Sequence, residues 1–316
     1  MGGLSSPAVS VVVPVFNGQA WIERSLRSAL AQTSRSLEVI VTDDGCTDNT
    51  PAILATLASQ ERRVRLLRTS GRLGPAAARN LALDAARGTW IAFLDADDRF
   101  HPERLERLLA AAHDENAVLL ADNQCVLTED GRPDGLLWPW ITQRRWVDAL
   151  SWVEHNAWYG AARFGYGYAK VMVRRELLES PRLRMRPELQ LMEDYHFVLA
   201  LLRRGHELLL LPEPMYDYTL RAGSMTHATA ETVLGAVLSV GEEVMHEVEP
   251  GPLQAALKRQ QASVEWRAVR FQVLGRLKAR DLPGAMRLLA HEPAALPYVL
   301  HSLGQALARR MHPRRG

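Results

Sequence analysis

The chain has 316 residues, 47% hydrophobic and 23% charged, which is enough for one large domain or for a catalytic domain with an appendage. A formal net charge of +2 gives no case for a nucleic-acid binder, which needs a concentrated basic face. Two widely separated cysteines, Cys46 and Cys125, form no CxxC pair, which argues against a disulfide framework or a zinc cluster and for a reducing compartment.

The N-terminal "MGGLSSPAVSVVVPVFN" lacks a basic n-region, and no window approaches the roughly 18 apolar residues of a membrane span. A soluble protein is expected, cytoplasmic and at most peripheral at the inner face of the membrane. "VSVVV" reads as a buried parallel strand halted by Pro14, and the apolar spacing from about Ala20 to Gln32 as a helix. "LEVIVTDDG" is a second strand closed by a polar turn. "TPAILATLAS" follows as a helix with Thr50 as N-cap and Pro51 in its first turn. "VRLLRT" is a third strand, "GPAAARNLALDAA" a helix and "WIAFLDADD" a fourth strand. A helix starting at Pro102 leads to the strand "AVLLADNQCVL", and 131–152 reads as irregular and Trp-rich. "YAKVMVRREL" is a strand entering a short helix, and "EDYHFVLALLRRG" is a helix closed by Gly205. "ELLLLPEPMYDYTL" is strand-like, with Pro212 and Pro214 marking an edge or an exit. Beyond about 228 the pattern is helical, which places a boundary there.

Alternating strands and helices predict a doubly wound, mostly parallel α/β sheet with helices on both faces and a C-terminal helical segment. In such sheets ligands bind beyond the carboxyl ends of the strands. The clusters Phe16–Asn17, Asp43–Asp44 and Asp95–Asp97 all fall there. Residues i and i+2 of a strand share a face, so Asp95 and Asp97 can offer two carboxylates to Mg²⁺ or Mn²⁺. The plainer alternative is a solvated turn capping the next helix. Phe16 can stack on a nucleobase or belong to the core. Asn17 begins a turn, and Asp44 can accept a hydrogen bond from a base imide. Arg79 can reach phosphate or a base edge with its planar fork.

In their order, "PVFN", "DDGCTDNT", "GPAAARN", "LDADD" and "MEDYHF" resemble the family 2 glycosyltransferases, over roughly residues 9–225. The resemblance implies a GT-A fold and inverting, metal-dependent transfer from a nucleoside diphosphate sugar, UDP being favoured. It puts Phe16, Asp44 and Arg79 at the nucleotide, with Asp43 and Asn80 beside them. Asp95 and Asp97 match the metal and diphosphate motif, and Asp194 the catalytic base, with Glu193 positioning acceptor or loop. Members often carry Tyr at the position of Phe16. The catalytic domain would span 1–227, with 228–316 a helical extension outside the resemblance.

"YTLRAGSMTH" resembles the family's loop after the last strand of the catalytic domain, which would put Arg221 at the diphosphate and His227 either at the metal or in a solvated loop, while Lys170 and Trp158 are weaker acceptor-site candidates. The reaction fits cell-surface polysaccharide synthesis on a glycan or lipid-linked acceptor. Val299, Leu300, Leu303 and Leu307 form a stripe before Arg309, Arg310, Arg314 and Arg315, which suits either a helix packed on its neighbours with a solvated basic tail or peripheral membrane contact. The alternatives are a nucleotidyltransferase, which lacks its Gly-rich basic loop here, and a degenerate scaffold that binds nucleotide-sugar without catalysis. No GxGxxG follows any strand, so a dinucleotide-dependent oxidoreductase is excluded.

Overall fold

The computed structural model describes residues 6–156, 164–221, 231–297 and 299–300. Strand β1 (Val9–Val15), helix α1 (Ile22–Leu30), β2 (Leu37–Asp43), α2 (Thr50–Gln60), β3 (Val64–Arg68), α3 (Pro75–Ala85) and β4 (Trp90–Phe93) alternate as the periodicity requires. β1 runs parallel to both β2 and β4, and β2 parallel to β3. Every residue of β2 is buried, which is why this half reads as continuous apolar runs rather than alternation.

Next come β5 (Arg99–Phe100), α4 (Arg104–Asp114), β6 (Leu119–Leu127), β7 (Pro133–Leu136), β8 (Arg145–Val147) and α5 (Ala149–Glu154). After them lie β9 (Met172–Arg174), α6 (Glu193–Arg203) and β10 (Leu208–Thr219). The sheet order is β3-β2-β1-β4-β9-β6-β10-β5, with β7 on β6 and β8 on β10. β9 is antiparallel to both β4 and β6, so the sheet is mixed at its centre.

Four local expectations change. Thr50 does not cap α2; Asn49 stands at the cap, and the Thr50 hydroxyl accepts from Gly18 N (2.9 Å), tying two strand-end loops together. The stretch 131–152 is not irregular, since it holds β7, β8 and the start of α5. Pro212 and Pro214 do not end β10, which continues beside β6 through register shifts between Leu211, Pro214 and Tyr216. Those irregularities absorb the missing N–H groups. Finally, α4 starts at Arg104, two residues after Pro102.

Two compact units make up the chain: Met1–Trp152 with Ala162–Thr226, and Val153–Ala161 with His227–Gly316. The second contains α7 (Glu231–His246), α8 (Pro252–Lys278) and α9 (Leu282–His291). Val273, Ala285 and Val299 are buried together there, and Asp281 caps α9 by accepting from Gly284 N (2.9 Å). Among the described residues no helix is long and apolar enough to cross a membrane.

Candidate active site

At the end of β1, Phe16 is 37% exposed, so it is not a core residue; the Arg72 guanidinium covers its ring at 4.1 Å. Asn17 takes a left-handed conformation, accepts from Thr47 N (2.8 Å) and donates to Thr47 Oγ1 (3.2 Å), pinning the loop after β2. In that loop Asp43 accepts from Cys46 N (2.7 Å), and both oxygens of Asp44 accept from backbone, Leu73 N and Gly74 N at 2.9 Å each. The acid pair therefore has a folding role: it shapes two loops that meet at the strand ends. Gly45 makes the approach possible. Its φ is +78°, and a Cβ there would lie 2.9 Å from the Gly71 and Arg72 backbone.

The triple-acid stretch is not a strand. β4 stops at Phe93, and Asp95–Asp98 is a turn closed by Asp98 N on Asp95 O (3.1 Å), so strand alternation does not pair Asp95 with Asp97. Helix α1 holds the turn from one side: Ser25 Oγ donates to Asp95 O (3.0 Å) and Arg24 to Asp97 O (3.1 Å). Tyr216 of β10 holds it from the other, accepting from Asp95 N (3.2 Å) and donating to Asp98 Oδ2 (2.7 Å).

Crowded carboxylates require compensating charge, and three cationic side chains provide it. Arg79 donates to Asp95 Oδ1 (2.8 Å) and Glu193 Oε1 (2.6 Å), Lys170 Nζ lies 2.7 Å from Asp95 Oδ2, and Arg221 pairs with Asp97. Lys170 Nζ also stands 3.9 Å from Asp194 Oδ2, completing a chain Glu193–Arg79–Asp95–Lys170–Asp194. Burial works against the charge on Asp95, but Lys170 and Arg79 outweigh it and hold the carboxyl well below the usual range. Burial likewise disfavours charge on Arg79 and Lys170, and the surrounding carboxylates reverse that. Asp98 moves the other way. Burial and then the Asp97 and Asp95 charges push it well up, and its neighbours Tyr216 and Thr219 N satisfy it.

Glu193 and Asp194 open α6 after Met192, which takes a left-handed φ of 63°. Phe197 of the same helix packs edge-on against Phe93 at 5.8 Å, fixing the helix start to the end of β4. Burial and the Glu193 charge push Asp194 up to about 6, Lys170 and Arg79 partly countering them. Arg79, Asp95, Lys170, Met185, Asp194 and Phe197 line a common pocket. Asn80 stands beside it, where its amide grips Met185 through both O (2.7 Å) and N (2.8 Å).

The donors around the acid turn fit a hard divalent cation. All the oxygens are carboxylate. Asp97 is 18% exposed, and among the described residues its Oδ1 accepts no hydrogen bond, whereas Asp95 has both oxygens engaged. One or two carboxylates completed by substrate phosphates is the usual protein share for Mg²⁺. His227 and Trp158 lie outside the described residues.

From the sequence Lys170 is expected only as a minor acceptor-site candidate and Tyr216 in no role. The signal for Lys170 was a lone lysine entering the apolar run "VMV", which a buried charge occupies only when paired. Tyr216 carried no signal, because its contacts cross the sheet.

The family model for Glycosyl transferase family 2 matches residues 10–180. The succinoglycan biosynthesis protein ExoO of Rhizobium meliloti (strain 1021) is 32% identical over 321 residues, covering 97% of this chain and 89% of that protein. Among solved structures, S. aureus TarS 1-349 in complex with UDP-GlcNAc is similar in fold. Its TM-score is 0.64 at 20% identity, with 89% of this chain and 90% of that one covered. The mannosyltransferase PcManGT from Pyrobaculum calidifontis, in complex with GDP-Man and Mn²⁺, gives 0.59 at 21% identity over 98% and 88%.

Proposed function

The chain belongs to glycosyl transferase family 2, and on that footing we propose that it inverts configuration while moving a sugar from a UDP-linked donor to a hydroxyl of a glycan or lipid-linked acceptor. Residues 1–227 form the catalytic part and 228–316 a helical extension. The observation that carries this reading is the pairing of a carboxyl pushed up to about 6, Asp194, with cationic Lys170 at 3.9 Å in the pocket that Asp95 also lines. A base of that kind is mostly ionised at neutral pH and still basic enough to accept a proton, and it sits beside positive charge suited to a diphosphate.

In the proposed reaction Asp194 takes the proton from the acceptor hydroxyl as that oxygen attacks the anomeric carbon, and the bond to the diphosphate breaks on the opposite side. Glu193, held by Arg79, fixes the start of α6 and hence the base. The donor's nucleobase stacks on Phe16 in place of Arg72, with Asp44 shaping the loop around it and Asp43 and Asn17 supporting that loop. Arg221 and Lys170 face the phosphates. Asp97, with Asp95 beside it and His227 as a further ligand, would hold Mn²⁺ or Mg²⁺, which supplies neutralisation of the leaving diphosphate.

A role in bacterial surface polysaccharide assembly draws support from the succinoglycan biosynthesis relative, and the Mn²⁺ of the mannosyltransferase structure supports a divalent cation. Work at the cytoplasmic side of the membrane, with peripheral contact through the helical unit, is part of the same reading. Leu282 and Met286, four residues apart on α9, are 61% and 68% exposed beside Arg280 and Arg287. The test is a panel of nucleotide-sugars assayed for hydrolysis and transfer with Mn²⁺. UDP-sugar turnover that stops with EDTA is expected; binding without turnover of any donor would favour the scaffold reading.

A further inference from the structure

Three residues that the proposed reaction does not use converge at the β5 side of the sheet. β6, β10 and β5 are consecutive strands, and Asp217 of β10 stands opposite Cys125 of β6 and Arg99 of β5. His101 follows β5 directly. A ligand atom from each of His101, Cys125 and Asp217 lies within 4.8 Å of the others. Tyr216 and Asp217 are successive strand residues and point to opposite faces, so this cluster is on the face away from the Tyr216–Asp98 contact.

The cluster is held from behind. His101 N donates to Met215 O (2.9 Å), and its carbonyl accepts from Gln32 (2.7 Å). The imidazole Nε2 lies 2.8 Å from Asp217 Oδ1, while Arg99 fixes Oδ2 at 2.7 Å. Cys125 Sγ makes no hydrogen bond among the described residues, and its thiol is free. The His101 side chain is 41% exposed, which opens the cluster to solvent.

We infer that His101, Cys125 and Asp217 form a second metal site, selective for a borderline cation of the zinc class. Imidazole, thiolate and one carboxylate oxygen are the donor types Zn²⁺ takes at about 2.0–2.3 Å, and three protein ligands leave a fourth position for water. Neighbouring ligands of such a tetrahedron stand roughly 3.3–3.7 Å apart by those bond lengths. The His101–Asp217 contact must open slightly and Cys125 close in, changes within side-chain rotation. Binding releases the Cys125 thiol proton, and the Nε2 proton where that nitrogen carries one, to solvent. The Arg99 charge lies on the far carboxylate oxygen and orients it, as outer hydrogen bonds do at metal sites. The thiolate separates this site from the one proposed at Asp97, where carboxylate oxygens predominate and favour harder ions. No spacing rule announces it, because the three ligands meet only through sheet pairing.

The test is titration of the full-length protein with Co²⁺, followed by thiolate-to-cobalt charge-transfer absorption and by displacement with Zn²⁺. One equivalent should give the band, and Zn²⁺ should abolish it. Cys125→Ser should remove the band, and His101→Gln should weaken Co²⁺ binding at least tenfold, the scale on which metal sites lose affinity. Cys46→Ser should leave it intact. Circular dichroism and thermal melting of the metal-free variants show that they are folded, and His101→Gln alone suffices if Cys125→Ser is not. Absence of the band in the wild type, or a band unchanged in both Cys125→Ser and His101→Gln, would overturn the site and leave only a hydrogen-bonded Arg99–Asp217–His101 cluster.

Discussion

Asp194 is the residue on which the chemistry and the energetics meet. Its carboxyl is raised to about 6, so the base form appears as pH rises, and turnover should climb through about pH 6 to a plateau. Because the folded pKa exceeds the unfolded one, the stability this group contributes is complete below about pH 4. It is lost as pH rises through about 6. Asp194→Asn removes that loss and should stabilise the protein at pH 7.5 by about 1–2 kcal/mol, less than the full shift because the side chain is 30% exposed. Melting curves at pH 4.5 and 7.5 check the sign: a variant less stable than wild type at pH 7.5 would mean that Asp194 serves the helix start instead. At Phe16 the prediction concerns binding. Its exposed ring is already covered by Arg72, as a stacking platform should be, so Phe16→Ala should weaken UDP binding by about 1–3 kcal/mol in calorimetry. Unchanged affinity would leave Phe16 as a loop residue.

At the scale of elements, the site depends on how β9 and α4 present Lys170. Arg104 is fully buried, donates to Asp122 (2.9 Å) and to the Lys170 carbonyl (2.6 Å), and lies 4.4 Å from the Phe100 ring. Arg104→Met strands Asp122 in the core and should cost about 3–5 kcal/mol in denaturant unfolding. Arg104→Met with Asp122→Leu should recover most of it, which a purely steric defect would not allow. Arg104 also shows where sequence reading stops. The parallel half, β1 to β4 with α1 to α3, was legible because buried strands and amphipathic helices carry their period in the residues themselves. The short strands β5, β7, β8 and β9 were not all legible, since two to four residues hold no period and exist through their partners. β10 carried two prolines yet stays paired, a case of tertiary pairing overriding a local signal. For the site, Asp43–Asp44 and Asp95–Asp97 were visible as strand-end polar clusters, Arg79 as a cation in the helix after β3 and Asp194 as an acid opening another helix, while the loop-fastening hydrogen bonds of Asn17, Asn80 and Asp43 have partners that only the fold reveals.

The molecule as a whole keeps every described residue of the proposed donor site in the first unit and leaves the second to be explained by its surface. Val299, counted in the C-terminal apolar stripe, packs in the helical core instead, whereas Leu300 remains exposed; residues 301–316, with the rest of the stripe and its arginines, lie outside the described residues. Co-sedimentation with anionic liposomes at low salt should capture the full chain, and Leu282→Glu with Met286→Glu should reduce capture several-fold. No capture of the wild type would remove the membrane from the account. The central claim is transfer with Asp194 as base, and the most direct measurement pairs single-turnover kinetics of Asp194→Asn with its donor affinity. Turnover should fall by about 10² or more while UDP-sugar affinity stays within about twofold of wild type. Near-normal turnover in that folded variant would contradict that claim.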